Sequence, residues 1–192
     1  MSRSTLIYLH GFESSGRSHK ASQMGDYLRL ARPDIHYLTP TLPDTPLAAW
    51  QAIDALVTPL LDEPLAVLGS SLGGFWSTVL ASRYAVPAVV INPAVHPQQL
   101  LRHFIGARRN PYTSVQYELS AAHMAELVSL DPPAPDTRSR IWLLQQEGDE
   151  VLDYRVALDY YQACRITREA GGNHAFCGFE RYCAQIVEFL QL

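Results

Sequence analysis

Apolar residues along the chain fall into short unbroken runs, separated by stretches in which they recur every three or four positions. "TLIYLH" (5–10) is rich in β-branched and aromatic residues and stops at Gly11, which predicts a strand. Similar runs predict strands at "IHYLT" (35–39), "LAVLG" (65–69), "PAVVIN" (87–92), "RIWLLQQ" (140–146) and "CRITREA" (164–170). Helical spacing marks 19–32, closed by Pro33, then 47–61, 73–85, 152–163 and 179–192. Pro59 should end or kink the second of these, because it lacks the amide proton a helix interior needs. Strands apolar at nearly every position need cover on both faces, and the intervening helices supply it. The pattern predicts an α/β protein, with a mainly parallel sheet of about six strands between two helical layers.

The alternation breaks between Asn92 and Arg140. That interval holds the helical patches "PQQLLRHFIGA" and "SAAHMAELVSL" and ends in the stiff, polar "DPPAPDTRS". An insertion after a strand of an open α/β sheet overlies the carboxyl ends of the strands, where ligands bind. Residues 93–139 are therefore read as a small helical lid on a single domain spanning 1–192; the alternative is an ordinary crossover with extra helices. Leu100, Leu101, Phe104, Ile105, Leu127 and Val128 either line an apolar slot beneath this lid or face the core.

Composition then narrows the class. At 192 residues, 47% hydrophobic and 18% charged, the chain is an ordinary globular protein able to bury a full core. A net charge of −4 lacks the basic footprint of a nucleic-acid binder. The local cluster "RHFIGARR" is the exception: Arg102, Arg108 and Arg109 form either a solvated face or contacts to phosphates such as those of coenzyme A. No apolar run approaches the roughly 20 residues of a membrane span. The lead "MSRSTLIYLHG" has too short an apolar part for a secretory signal. Cys164, Cys177 and Cys183 lack metal-site spacing and are expected as reduced thiols in a cytoplasm, small apolar residues in or near the core. No metal site is expected.

The candidate chemistry begins at the junction of the third strand and the third helix. "Gly69-Ser70-Ser71-Leu72-Gly73" matches G-x-S-x-G with Ser71 at its centre. A turn this tight forces its central residue into a strained backbone conformation and lifts the hydroxyl clear of the sheet. Small residues two before and two after are needed because backbone passes close by. A plain Gly-rich turn is the alternative, but a phosphate loop would require the G-K-[ST] ending, which is missing. A serine hydroxyl needs a base, itself oriented by a third group, to become a nucleophile at neutral pH. Of seven histidines, His174 in "GGNHAF" alone follows the last strand. The acid is sought in "EGDEVLD" after the fifth strand. Asp149 is favoured and Glu150 is its rival; Glu147 sits too near the strand, and Asp153 reads as a helix N-cap. Oxyanion donors in such an architecture are the N–H after the nucleophile, that of Leu72, and one from the loop after the first strand, that of Phe12. His10 is assigned no catalytic role.

The motifs "YLHGFESS", "LGSSLGGFW", "INPAVHP", "EGDEVLDY" and "GGNHAFCGFERY" together resemble the small YqiA-type bacterial esterases, a group of α/β-hydrolases. The resemblance runs from about Leu6 to the C-terminus and is carried most specifically by the last two motifs. It implies a cofactor-free serine hydrolase acting on small-molecule carboxylic esters or thioesters. It places the nucleophile on Ser71, the base on His174 and the acid on Asp149. A binding protein that has kept a hydrolase scaffold without catalysis is the alternative from a different class.

Overall fold

The computed structural model describes residues 4–192; the first three residues of the polar lead lie outside them. Six parallel strands form the main sheet: β1 (Thr5–Leu9), β2 (His36–Leu38), β3 (Leu65–Ser70), β4 (Ala88–Ile91), β7 (Ile141–Gln146) and β8 (Arg165–Glu169). Their spatial order is β2-β1-β3-β4-β7-β8. The remaining strands, β5 (Gly106–Arg109) and β6 (Gln116–Leu119), pair only with each other, antiparallel.

Alternation along each strand divides the core. Ile7, Leu9, Val67, Val90 and Leu143 point to one face, and Leu6, Tyr8, Leu68, Ile91 and Trp142 to the other. On the first face lie α2 (Pro46–Val57), α3 (Leu72–Tyr84), α5 (Ala121–Leu130) and α6 (Tyr154–Tyr160). On the second lie α1 (His19–Ala31) and α7 (Cys183–Leu190). Helix α3 is the most enclosed, buried without interruption from Gly73 to Leu80, because it packs directly on the central β3 and β4. Pro59 falls where expected to end a helix: α2 stops at Val57 and one 3₁₀ turn follows over Thr58–Leu60.

The insertion carries a four-residue helix α4 (Gln98–Leu101), a 3₁₀ turn (Arg102–Phe104), the β5–β6 hairpin and α5. The hairpin was not foreshadowed by the apolar pattern, which predicted helix through Ala107. Only two of the six apolar insertion residues take a role expected of them, Leu101 and Leu127 in the core; the others do not line a slot beneath a lid. Leu127 is wholly buried in the core and Leu101 nearly so, Phe104 meets Phe12, and Ile105 and Val128 face solvent. Leu100 lines an outer groove with Val151 and Leu152. Among the described residues no helix is long and apolar enough to cross a membrane. All three cysteines are free; Cys183 is buried, Cys164 half-buried and Cys177 exposed.

Candidate active site

Strand β3 ends at Ser70, and the next residue, Ser71, takes φ 55° and ψ −122° before α3 begins at Leu72. That conformation is disfavoured for any residue with a Cβ, and it is over-determined here. The Ser71 N–H donates to the Ile91 carbonyl, and its own carbonyl accepts from the N–H groups of Gly74 and Ala94. The flanking glycines answer to close backbone approach. A Cβ on Gly73 would lie 1.9 Å from the Leu9 carbonyl oxygen, and one on Gly69 would lie 2.1 Å from the Gly73 carbonyl oxygen.

The loops after β7 and β8 bring the partners. His174 Nε2 lies 3.1 Å from Ser71 Oγ, and His174 Nδ1 lies 2.9 and 2.8 Å from the two oxygens of Asp149. An ionised carboxylate on Nδ1 fixes the proton there and turns the Nε2 lone pair toward the serine. The Asp149 side chain is fully buried, and its Oδ1 also accepts the N–H groups of Val151 (2.9 Å) and Leu152 (2.8 Å), which lock its rotamer. Glu150, its rival in the sequence, takes a different part: its Oε2 accepts the backbone N–H of His174 at 2.9 Å. Glu147 pairs with Arg168 on the surface, and Asp153 caps α6 by accepting from Arg155 N–H at 3.0 Å.

The two loops press together through glycines. Gly148 N–H donates to the Gly171 carbonyl at 2.7 Å, and a Cβ on Gly148 would lie 2.4 Å from the Gly172 carbonyl oxygen.

Three residues that the sequence did not single out hold the His174 loop. Asn92, at the end of β4, is buried; its Nδ2 donates to the carbonyls of Asn173 (2.9 Å) and His174 (3.2 Å), while its Oδ1 accepts Gln146 N–H at 2.9 Å. Gln146 Oε1 accepts the N–H groups of Asn173 and Cys177 at 3.1 and 2.9 Å. Lys20 Nζ donates to the Ala175 carbonyl at 2.9 Å; burial pushes its ammonium down to about 8, against the pull of the Asp149 carboxylate. A polar residue closing an otherwise apolar strand, as in "VVIN" and "LLQQ", was the available signal for the first two.

On the other side of Ser71 runs the loop after β1. Gly11 sits against the serine: a Cβ there would lie 3.2 Å from Ser71 Cβ and 3.6 Å from its Oγ. Among the described residues the N–H groups of Phe12 and Leu72 have no acceptor. Both residues line a narrow cleft walled by Leu42, Pro46, Trp76 and Leu119. His10 is structural. Its Nε2 accepts Leu42 N–H at 2.9 Å and its Nδ1 lies 2.8 Å from the Gly11 carbonyl, and burial holds it below the usual histidine range.

The sequence profile of the uncharacterised protein family UPF0227, the YqiA family, matches residues 5–191. The chain belongs to that family. Its fold is shared with proteins of remote sequence. Est1E from Butyrivibrio proteoclasticus superposes with a TM-score of 0.73 at 13% identity, over 99% of this chain and 88% of that one. Mouse alpha/beta hydrolase domain-containing protein 10 superposes with a TM-score of 0.72 at 13% identity, over 97% and 89%. The esterase Pf2001 of Pyrococcus furiosus gives 0.65 at 15% identity, over 99% and 81%. These likenesses show the α/β-hydrolase fold of this UPF0227 member, and a fold alone fixes no chemistry.

Proposed function

We propose that this UPF0227 member is a serine hydrolase that cleaves carboxylic esters or thioesters through an acyl-enzyme, with Ser71 as nucleophile, His174 as base and Asp149 as its orienting acid. One observation carries the reading. The Ser71 hydroxyl lies 3.1 Å from His174 Nε2, and the opposite ring nitrogen is held by both oxygens of a buried carboxylate. Ser71 Oγ attacks the carbonyl carbon as its proton passes to His174 Nε2, and Asp149 stabilises the imidazolium. The N–H groups of Leu72 and Phe12 receive the oxyanion. As the tetrahedral adduct collapses, His174 returns the proton to the departing alkoxide or thiolate. Water, deprotonated by the same nitrogen, then releases the acid and restores the serine.

The structural neighbours are consistent with this class: one carries the name esterase, and Est1E has also been solved with ferulic acid bound. A non-catalytic scaffold has no observation in its favour, since the three side chains stand within hydrogen-bonding distance in the order required. Free thiols fit the cytoplasm as the site of action.

Labelling with a fluorophosphonate followed by peptide mapping tests the proposal. Modification is expected at Ser71 and is expected to vanish in His174→Ala. A folded parent that is never modified at Ser71 and turns over no ester or thioester would overturn it.

A further inference from the structure

The loop beside Ser71 is held by residues nearly a hundred positions away. Three consecutive loop residues each receive a contact from the insertion. The Phe12 ring meets that of Phe104, tilted, with centroids 5.8 Å apart. The Glu13 carboxylate accepts two N–H bonds from the Arg108 guanidinium, at 2.9 Å to Oε1 and 2.8 Å to Oε2, and a third bond from the Tyr117 hydroxyl at 3.0 Å. The Ser14 carbonyl accepts from Asn110 Nδ2 at 3.3 Å.

The donors sit in one supersecondary unit. Arg108 and Tyr117 face each other across the β5–β6 ladder, and Asn110, wholly buried, closes its turn by accepting the N–H groups of Tyr112 and Thr113. A two-stranded hairpin is marginal on its own, and among the described residues this one pairs with no other strand. Of its charged side chains, Arg108 is committed to the loop after β1. That loop needs holding, because Glu13 adopts φ 48°, a left-handed conformation that residues with a Cβ resist. A bidentate guanidinium–carboxylate pair fixes orientation as well as distance.

We propose that the hairpin is a clamp that sets the Phe12 amide toward Ser71, with Arg108, Tyr117 and Glu13 as positioning residues. The proposal rests on the hydrolase reading above. A donor aimed in advance at the developing oxyanion lowers the barrier without tightening the ground state, so the clamp acts on kcat. It also takes Arg108 out of the surface cluster available to a substrate phosphate.

Arg108→Met, Arg108→Lys and Tyr117→Phe test this against a short neutral nitrophenyl ester, with kcat expressed per serine labelled to completion by a fluorophosphonate. Arg108→Met is expected to lose about 10- to 100-fold in kcat, a share of the roughly 10²–10³ that complete loss of such a donor costs. KM should stay within about twofold. Arg108→Lys, which keeps the charge without the fork, should recover part of the loss, and Tyr117→Phe should lose less. The acid limb of kcat/KM should not move, because the Asp149–His174 pair lies across the site. Unchanged kcat per labelled serine in Arg108→Met, or a loss confined to KM, overturns the clamp. If Arg108→Met does not melt cooperatively, Arg108→Lys and Tyr117→Phe are judged by the same criterion. A parent without turnover or labelling overturns the hydrolase reading itself; an active parent with indifferent variants overturns only the clamp.

Discussion

A single methyl group on Gly73 would sit 1.9 Å from the Leu9 carbonyl oxygen, far inside contact distance, and the obstacle is the backbone of the central strands. Nothing there can rotate away. At Gly74 the nearest atoms would be Pro93 Cβ at 2.7 Å and Pro93 Cα at 3.0 Å, a less severe approach than at Gly73. The two neighbouring glycines therefore differ in what they tolerate. Gly73→Ala is expected to cost about 1–3 kcal/mol or more, as overpacking of a closed core does. It should also displace Ser71 relative to His174. Urea denaturation with kcat measured on the folded fraction checks both effects, and Gly74→Ala should be milder in each. A Gly73→Ala protein as stable and as active as the parent would show that the turn can open, and that its strain does not hold the serine in place.

At the scale of the element, β4 does more than pair with its neighbours. Its end places Asn92, through which three backbone groups are satisfied at once: the N–H of Gln146 at the end of β7 and the carbonyls of Asn173 and His174 in the loop after β8. Asn92→Asp keeps the acceptor for Gln146 N–H but turns a second oxygen toward the Asn173 and His174 carbonyls. Each buried group left without a partner costs about 1–3 kcal/mol, and the loss falls on the loop that carries the imidazole. The expected outcome is a lower denaturation midpoint together with reduced kcat, whereas Asn173→Ala, which leaves those backbone carbonyls in place, should preserve more activity. Asn92 escaped notice in the sequence because its partners come from two other segments, more than fifty residues away. The four inner strands were legible for the opposite reason: β1, β3, β4 and β7 are buried at every position and read as local apolar runs, whereas the edge strands β2 and β8 are only partly buried and carry the weaker signals HYL and RITRE. Ser71, His174 and Asp149 were legible because each follows a strand in a chemically restrictive setting, a glycine-flanked turn or a loop after β7 or β8. The hairpin was not. "GARR" and "QYEL" form no apolar run, and what ties the hairpin down lies far off in sequence: Arg108 and Tyr117 on Glu13, Asn110 Nδ2 donating to Asp44 at 2.6 Å, and Leu119 in the core.

Over the whole molecule, the arrangement of charge bears on which leaving group the site meets. The basic cluster in the insertion invites a reading as a seat for the phosphates of an acyl-CoA. Its members differ, however, in what they are free to do. Arg108 is engaged by Glu13, which is held below the usual carboxylate range chiefly by the hydrogen bonds from that guanidinium. Arg102 and Arg109 remain exposed, and exposed charges act weakly through water and salt. The chain as a whole carries a net charge of −4, so its long-range field repels a polyanion. Capture of acyl-CoA by the arginines should therefore be feeble. Raising salt from about 0.05 to about 0.5 M shortens the Debye length roughly threefold and would strip away any such capture. The expected result is that KM for a short acyl-CoA and KM for a neutral ester of the same acyl group change with salt by the same factor, within about twofold. A KM that rises steeply with salt for the thioester alone, and flattens in Arg102→Ala or Arg109→Ala, would show that two exposed arginines suffice to hold the phosphates and would make thioesters the favoured substrates.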